Sequence, residues 1–239
     1  MNSNQIIKKY RNTIISFLII VSLLIVGMII VAFKVTDYNK MTLINLILLV
    51  VLLVVALSYR SVLLGYKYLA GIARVIINQS QPLPFKRNIV KEFGVLLTDD
   101  FKVFTNNDNY QIMYKRVEDG KKIFKNKILY IVLLLKVEKL DFFDKYLHED
   151  INKLEETFSK KERSNKQIVL AFKNFENVKE DNLKEIGEVV SYGAGRQFFT
   201  QINVGLNKKD SKAYFLYSDV YNPSASYRLG TEYIKRLIK

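Results

Sequence analysis

Two stretches of this chain contain no charged residue. Thr13–Phe33 is 21 residues long and Met41–Tyr59 is 19, both dominated by Ile, Leu and Val. As helices rising 1.5 Å per residue they reach about 28–32 Å, close to the ~30 Å hydrocarbon thickness of a bilayer. Only a helix satisfies its own backbone polar groups in that medium, so both runs predict membrane-spanning helices. Lys34–Lys40 between them is short enough to demand a tight helical hairpin. The basic start of the first run (Lys8, Lys9, Arg11) also fits a cleaved signal peptide. Its length, and the lack of a small-x-small site before a polar stretch, favour a retained anchor.

Basic flanks set the expected orientation. Lys8, Lys9 and Arg11 precede the first run, and Arg60, Lys67, Arg74, Lys86 and Arg87 follow the second. Both termini are therefore expected in the cytoplasm of a two-span plasma-membrane protein, with Tyr10, Phe33, Tyr38 and Tyr59 as interfacial anchors. Gly27 and Asn45 interrupt the apolar runs. An amide in hydrocarbon needs a partner, which places Asn45, and with it Gly27, at a helix–helix interface.

Beyond Tyr59 the pattern changes. Ser61–Ser80 is compatible with a helix, and Arg60, Lys67 and Arg74 repeat every seven residues along one face. Three readings stay open: an extension of the second span, an amphipathic helix in the headgroup layer, or a helix packed on a soluble domain. Gln81-Pro82-Leu83-Pro84 ends it, because proline has no donor and restricts its predecessor. The expected organisation is a tail (1–12), a hairpin (13–59, spans 13–33 and 41–59), a juxtamembrane helix with a Pro linker (60–85) and a soluble domain (86–239).

Residues 86–239 read as a mixed α/β domain with a βαβ unit and flanking antiparallel hairpins. Lys102–Phe104 and Tyr110–Val117 suggest strands, with a hairpin turn at Asp119-Gly120 and Glu118 facing Lys121. Ile128–Leu135 is apolar throughout and too short to span a bilayer, as for a strand buried on both faces. A helix starts at Asp141 or Asp144 and runs to about Arg163, with Phe143, Leu147, Ile151, Leu154 and Phe158 on one side. Glu149–Lys153 and Glu156–Lys160 decorate its outer side. Gln167–Phe172 supplies a second apolar strand, so the pair is expected parallel, with a right-handed crossover. A helix over Lys179–Val190, a strand over Phe198–Leu206 with one wet face, and a turn at Asn207–Asp210 into Lys212–Ser218 follow. Asn222-Pro223 marks the start of a last helix.

Composition narrows the chemistry. The chain has 239 residues, no Cys and one His, which excludes disulfides, thiolate metal sites, Cys nucleophiles and His-rich zinc sites. His148 has no visible partner for base catalysis and reads as an exposed structural residue. Gly193-Ala194-Gly195-Arg196 reads as a helix C-cap and turn; a phosphate cradle needs strand, glycine loop and helix in that order. Arg196 stays a candidate for anion contact. Asp99, Asp100 and Asp108 sit among Asn106, Asn107 and Asn109, where turn formation explains the acids better than Mg²⁺ binding. No catalytic residue, metal site or cofactor is expected.

Charge is the remaining signal. Residues 1–58 hold five basic and one acidic residue, and 59–239 hold 32 and 22, so the soluble part is basic in its own right. Each basic residue near an anionic leaflet gains about 1 kcal/mol, which fits a tethered domain. The expected anion or lipid contacts are Arg60, Lys67, Arg74, Lys121, Lys122, Lys208, Lys209 and Arg196. Nucleic-acid binding would draw on the same charges with Tyr110, Tyr114 and Phe124 for stacking, but no RNP, KH or helix-turn-helix pattern is present. The abundance of Lys, Ile and Asn suits a low-GC bacterial genome. The expected function is a membrane-anchored binding or scaffold module, with anionic lipid and a protein partner or second copy as its contacts. The alternatives are a membrane-tethered enzyme acting on a phosphorylated or nucleic-acid substrate, with Arg196, Asp99 and Asp100 to test first, and an accessory subunit of a transporter or channel.

Overall fold

The computed structural model describes residues 2–119, 126–159, 162–194 and 197–239, with backbone only at 119, 126, 192–194 and 197. They form two compact units, residues 1–77 and 78–239.

The first unit is two long apolar helices. Helix α1 (Ser3–Lys34) starts at a capping box: the Asn2 side chain accepts from Asn4 N, and the Gln5 side chain accepts from Asn2 N at 3.2 Å. Helix α2 (Tyr38–Ile77) is started by Asp37, whose Oδ1 accepts from Asn39 N at 3.0 Å and Lys40 N at 3.2 Å. Only residues 35–37 lie outside helix, a shorter link than the charge pattern suggests, because the Asp37 cap lets α2 begin before its apolar run. Ser61–Ile77 continues α2 without a break. The helix stops at Ile77, five residues before Pro82, so proline is not its terminator.

The seam between the helices is partly polar at its basic end. Ser16 Oγ and Tyr59 OH are 3.0 Å apart, the Phe17 and Tyr59 rings lie 5.3 Å apart, and Lys9 Nζ sits 5.1 Å from the Tyr66 ring centre. The most apolar windows of both helices are unburied. Both helices are long and apolar enough to cross a membrane.

The second unit is a mixed α/β domain around an eight-stranded sheet. Its strands are β1 (Leu83–Pro84), β2 (Lys102–Asn106), β3 (Tyr110–Asp119), β4 (Asn126–Leu135), β5 (Lys166–Phe175), β6 (Val189–Ala194), β7 (Gln197–Asn207) and β8 (Lys212–Tyr214). The spatial order is β1-β8-β7-β5-β4-β3-β2, and β6 also pairs with β7. Pairs β4–β5 and β5–β7 are parallel, and the other neighbours are antiparallel. Its helices are α3 (Gly94–Thr98), α4 (Lys145–Glu156), α5 (Glu180–Gly187) and α6 (Ala225–Leu237).

Strand β4 is central, and Ile128–Leu135 is buried at every position, as an unbroken apolar run requires. Its residues Leu129, Ile131 and Leu133 meet Leu147, Ile151 and Leu154 of α4 in one core with Ile186 of α5. The opposite face carries α6. A Cβ on Gly230 would lie 2.8 Å from Ile202 Cδ1 and 3.2 Å from Ile168 Cγ2, so glycine is what lets this helix approach the sheet. Tyr233 of α6 stacks on Tyr130 with ring centres 5.0 Å apart.

Several expectations need correction. Of the expected turn at Asp119-Gly120, Asp119 belongs to strand β3 and Gly120 lies outside the described residues. The β3–β4 register runs on through Glu118↔Lys127 to Asp119↔Asn126, so Glu118 pairs with Lys127; Lys121, its expected partner, lies outside the described residues. Helix α4 is capped by Asp144 but ends at Glu156, where the Thr157 hydroxyl donates to the Leu154 carbonyl at 2.7 Å. Its surface pairs are Lys145–Glu149 at 3.5 Å and Lys153–Asp150 at 2.7 Å; Lys160 lies outside the described residues. Helix α5 stops at Gly187, and Val189 and Val190, expected at the end of that helix, instead begin strand β6. β-Branched Val189 and Val190 side by side favour that outcome. Strand β8 ends at Tyr214 instead of Ser218, and α6 is capped by Ser224, one residue after Pro223.

The largest correction concerns β7. The alternation Phe198, Thr200, Ile202, Val204, Leu206 suggested one wet face, yet Gln201 and Asn203 on the intervening face are fully buried. Strand β7 lies beside β5 inside the sheet, and α5 covers its polar face.

Candidate anion-binding surface

Three of the domain's buried polar side chains, Lys173, Gln201 and Asn203, form one connected cluster on the parallel strands β5 and β7. Leu135 of β4 and Gly205 of β7 flank Lys173 of β5 in register. Lys173 is buried, and its Nζ donates to the Leu140 carbonyl at 2.8 Å and to Glu185 Oε1 at 2.5 Å. The same ammonium lies 4.4 Å from the Phe142 ring centre and 5.1 Å from that of Phe175. Gln201 Nε2 donates to the Phe142 carbonyl at 3.1 Å, and Asn203 Nδ2 donates to the carbonyls of Glu185 and Glu188 at 3.0 and 3.1 Å. Open parallel sheets commonly bind ligands beyond the C-terminal strand ends. Here the chain's own Phe142 and α5 fill the position, and the cluster fastens them to the sheet.

A second group of charges surrounds Asp99, which follows α3. Its carboxylate accepts from the Tyr233 hydroxyl and from Arg236 Nη2 at 2.5 Å, and lies 3.6 Å from Lys115 Nζ. Lys115 also donates to the Asp99 carbonyl at 2.7 Å. Burial pushes the Asp99 carboxyl up, but Tyr233, Arg236 and Lys115 outweigh it and hold it below the ordinary value. Burial and the bond to Asp99 in turn push the Tyr233 phenol up. Asp99 is thus a clasp between the segment after α3, strand β3 and α6. Asp100 is exposed, with its Oδ2 4.0 Å from Lys115 Nζ, and sits at φ 63°, a left-handed conformation that Asp tolerates at turns. Asp108 also lies in a turn, where Asn107 Oδ1 accepts from the amides of Asn109 and Tyr110 at 3.0 and 2.9 Å. Among the described residues no group of three or more acidic or His side chains has metal-binding geometry.

Next to the clasp, Asp100, Lys102, Tyr114, Lys115, Arg116 and Phe158 line a pocket of about 320 Å³. Arg116 lies over the Phe158 ring at 4.9 Å and donates to the Glu162 carbonyl at 2.7 Å. Tyr114 meets Phe158 edge-on at 5.9 Å. Lys102 has no ion-pair partner among the described residues. The pocket is suited to holding an anion against an aromatic wall. Among the described residues that line it, no nucleophile is paired with a base.

The expected site residues scatter. Arg60, Lys67 and Arg74 are exposed along α2. Lys208 is paired with Glu176, and Lys209 is exposed beside it. Lys121, Lys122 and Arg196 lie outside the described residues. The glycine segment is a correction: Gly193 and Ala194 belong to β6, opposite Phe198 and Gln197, so the motif joins two strands and is not a helix C-cap. A Cβ on Gly27 would meet nothing within 4 Å, so Gly27 makes no close approach within the hairpin. Asn45 Oδ1 is covered and has no hydrogen-bond partner. His148 is half-buried rather than exposed, with Phe143 stacked 6.2 Å away. Burial lowers its pKa against the opposing pull of Asp144 and Asp141.

Sequence reading missed the pocket and the Lys173 cluster. Lys173 sits two positions from Ala171 and from Phe175, on the core-facing side of a strand, and that period-2 placement was the available signal. No protein family matches this chain, and no curated protein or solved structure matches it.

Proposed function

We propose that this chain is a membrane-anchored binding module in which α1 and α2 cross the bilayer as a hairpin and carry a cytosolic α/β domain. The observation that carries this reading is the unburied state of both apolar helices. Leu23, Phe33, Val50 and Leu53 all point outward, and hydrocarbon is the medium in which such a surface costs nothing. The basic residues before α1's apolar run and after α2's support cytoplasmic termini and an exposed turn at residues 35–37. The β4–α4–β5 connection crosses right-handed in this reading, as parallel neighbours nearly always do.

The domain binds rather than catalyses. Its strongest charges are spent on internal ties: Lys173 to Glu185, Arg236 to Asp99, Lys235 to Asp219. The pocket at Lys102 and Arg116 and the anionic leaflet supply the contacts, with a protein partner or second copy completing a membrane-associated assembly. A second reading, an accessory subunit of a transporter or channel, draws on Asn45, whose unpartnered amide oxygen favours pairing with another helix.

The test uses the absence of native cysteine. Single cysteines at Asn4, Thr36 and Lys239 are labelled in intact cells with an impermeant maleimide. Labelling at residue 36 alone is expected; labelling at 4 or 239, or a chain released by alkaline carbonate, overturns the proposal.

A further inference from the structure

At the basic end of the hairpin, α1 carries a polar stripe that runs into its apolar segment. Gln5, Lys8, Lys9, Asn12, Thr13 and Ser16 are spaced three and four apart and so share one side of the helix. With Tyr59 of α2 they line a groove of about 430 Å³. The stripe descends about 10 Å from Lys9 to Ser16 at 1.5 Å per residue. Its lower end therefore lies inside the run of uncharged residues that begins at Thr13.

The donors in this groove are graded along its length. Lys8 and Lys9 stand at the mouth, with Lys9 held over the Tyr66 ring at 5.1 Å. Asn12 comes next. Thr13 donates its hydroxyl to the Lys9 carbonyl at 2.9 Å and offers only acceptor capacity. Ser16 Oγ and Tyr59 OH form one hydrogen bond between them at 3.0 Å, which leaves one of their two protons free. The only carboxylate in residues 1–77 is Asp37, at the opposite end of both helices, so nothing in this unit neutralises the mouth.

We infer that this groove seats the headgroup of an anionic phospholipid, with the phosphate between Lys8, Lys9 and Asn12 and an ester carbonyl accepting from the Ser16–Tyr59 pair. A free anion would use the mouth alone. A lipid also uses the deeper hydroxyls and lays its chains along the apolar faces that continue the groove. The inference rests on the hairpin being in a membrane.

The test is native mass spectrometry of the full chain from mixed micelles of phosphatidylglycerol and phosphatidylcholine, counting retained lipid. Wild type is expected to keep phosphatidylglycerol in preference. Lys8→Gln with Lys9→Gln should cut that retention about thirtyfold, from about fivefold per lysine near the surface. Ser16→Ala should cut it severalfold. Lys34→Gln with Lys40→Gln, the same charge loss at the far end, should leave it unchanged. Equal loss in the far-end variant, no loss in the groove variant, or complete displacement by excess inorganic phosphate would overturn the inference. A chain that carbonate extracts from membranes defeats the anchoring proposal itself. A chain that pellets with membranes yet keeps both lipids equally defeats only the groove.

Discussion

The two units of this protein solve opposite problems with the same residue types. In residues 1–77, Val50 is 52% exposed while the hydroxyls of Ser16 and Tyr59 turn towards each other in the seam. In residues 78–239, Ile131 is fully buried and most cations lie outside. The domain also buries Lys173, Gln201 and Asn203, and it ties each to a carbonyl or carboxylate. The same residue types are exposed in one unit and buried in the other, so composition alone does not set burial. A polar group withdrawn from water must then be paid in hydrogen bonds.

The contrast is broken most directly at Lys173. Lys173→Ala takes the Lys173 donor from the Leu140 carbonyl and the cation from Glu185, which keeps only the Phe142 amide at 3.4 Å, and should destabilise the domain by about 3–5 kcal/mol, read as a lowered thermal midpoint of the full chain in detergent. A shift within error would mean that the cluster does not fasten α5. Val50→Arg tests the other unit. A charge at the centre of a span costs about 2.5–3.5 kcal/mol of insertion, whereas the same change on a water-facing helix costs almost nothing. The carbonate-resistant fraction should drop sharply, and an unchanged fraction places α2 in water.

A smaller effect is expected at Ser224, whose Oγ accepts from Tyr227 N at 3.1 Å at the start of α6. Ser224→Ala should cost about 1 kcal/mol in chemical denaturation. A loss above twice that would point to a role beyond capping.

The pH dependence sharpens the comparison last, because it belongs to the domain alone. Lys153 holds the Asp150 carboxyl low, with help from Tyr110 and against burial, and Asp99 is also lowered. A carboxyl lowered by folding stabilises fully above its unfolded pKa near about 4, and that contribution disappears as pH falls through the folded value. His148 is lowered too, so its neutral form favours the fold and stability declines as pH drops below about 6.5. Melting curves across this range should show a gentle decline and then a steep acid limb. Asp99→Asn should flatten the acid limb, and an unchanged limb would assign it elsewhere.

How much was legible follows from what each signal reports. The uninterrupted runs at 13–33 and 41–59 announced two long helices, since length and lack of charge are local properties. Ile128–Leu135 announced a central strand for the same reason. The Asp144 cap and the spacing of Leu147, Ile151 and Leu154 placed α4, while its end depended on Thr157 folding back onto Leu154. The candidate surface was far less legible. Nothing local to Lys115, Arg116, Lys235 or Arg236 signals a partner, yet each has one from another segment.

The sequence by itself determined the element types wherever the pattern was long and one-sided, because backbone geometry converts periodicity into a face without reference to the rest of the chain. Tertiary structure alone decided which faces were wet. Gln201 and Asn203 are polar residues alternating with apolar ones, as on any solvated strand, and only α5 lying across β7 makes them interior. Gly193 and Ala194 became strand because β7 offered a partner for their backbone. Asp99 became a clasp because α6, more than a hundred residues later, returns Tyr233 and Arg236 to its side. Contacts between distant segments set these outcomes, and local pattern carries no information about them.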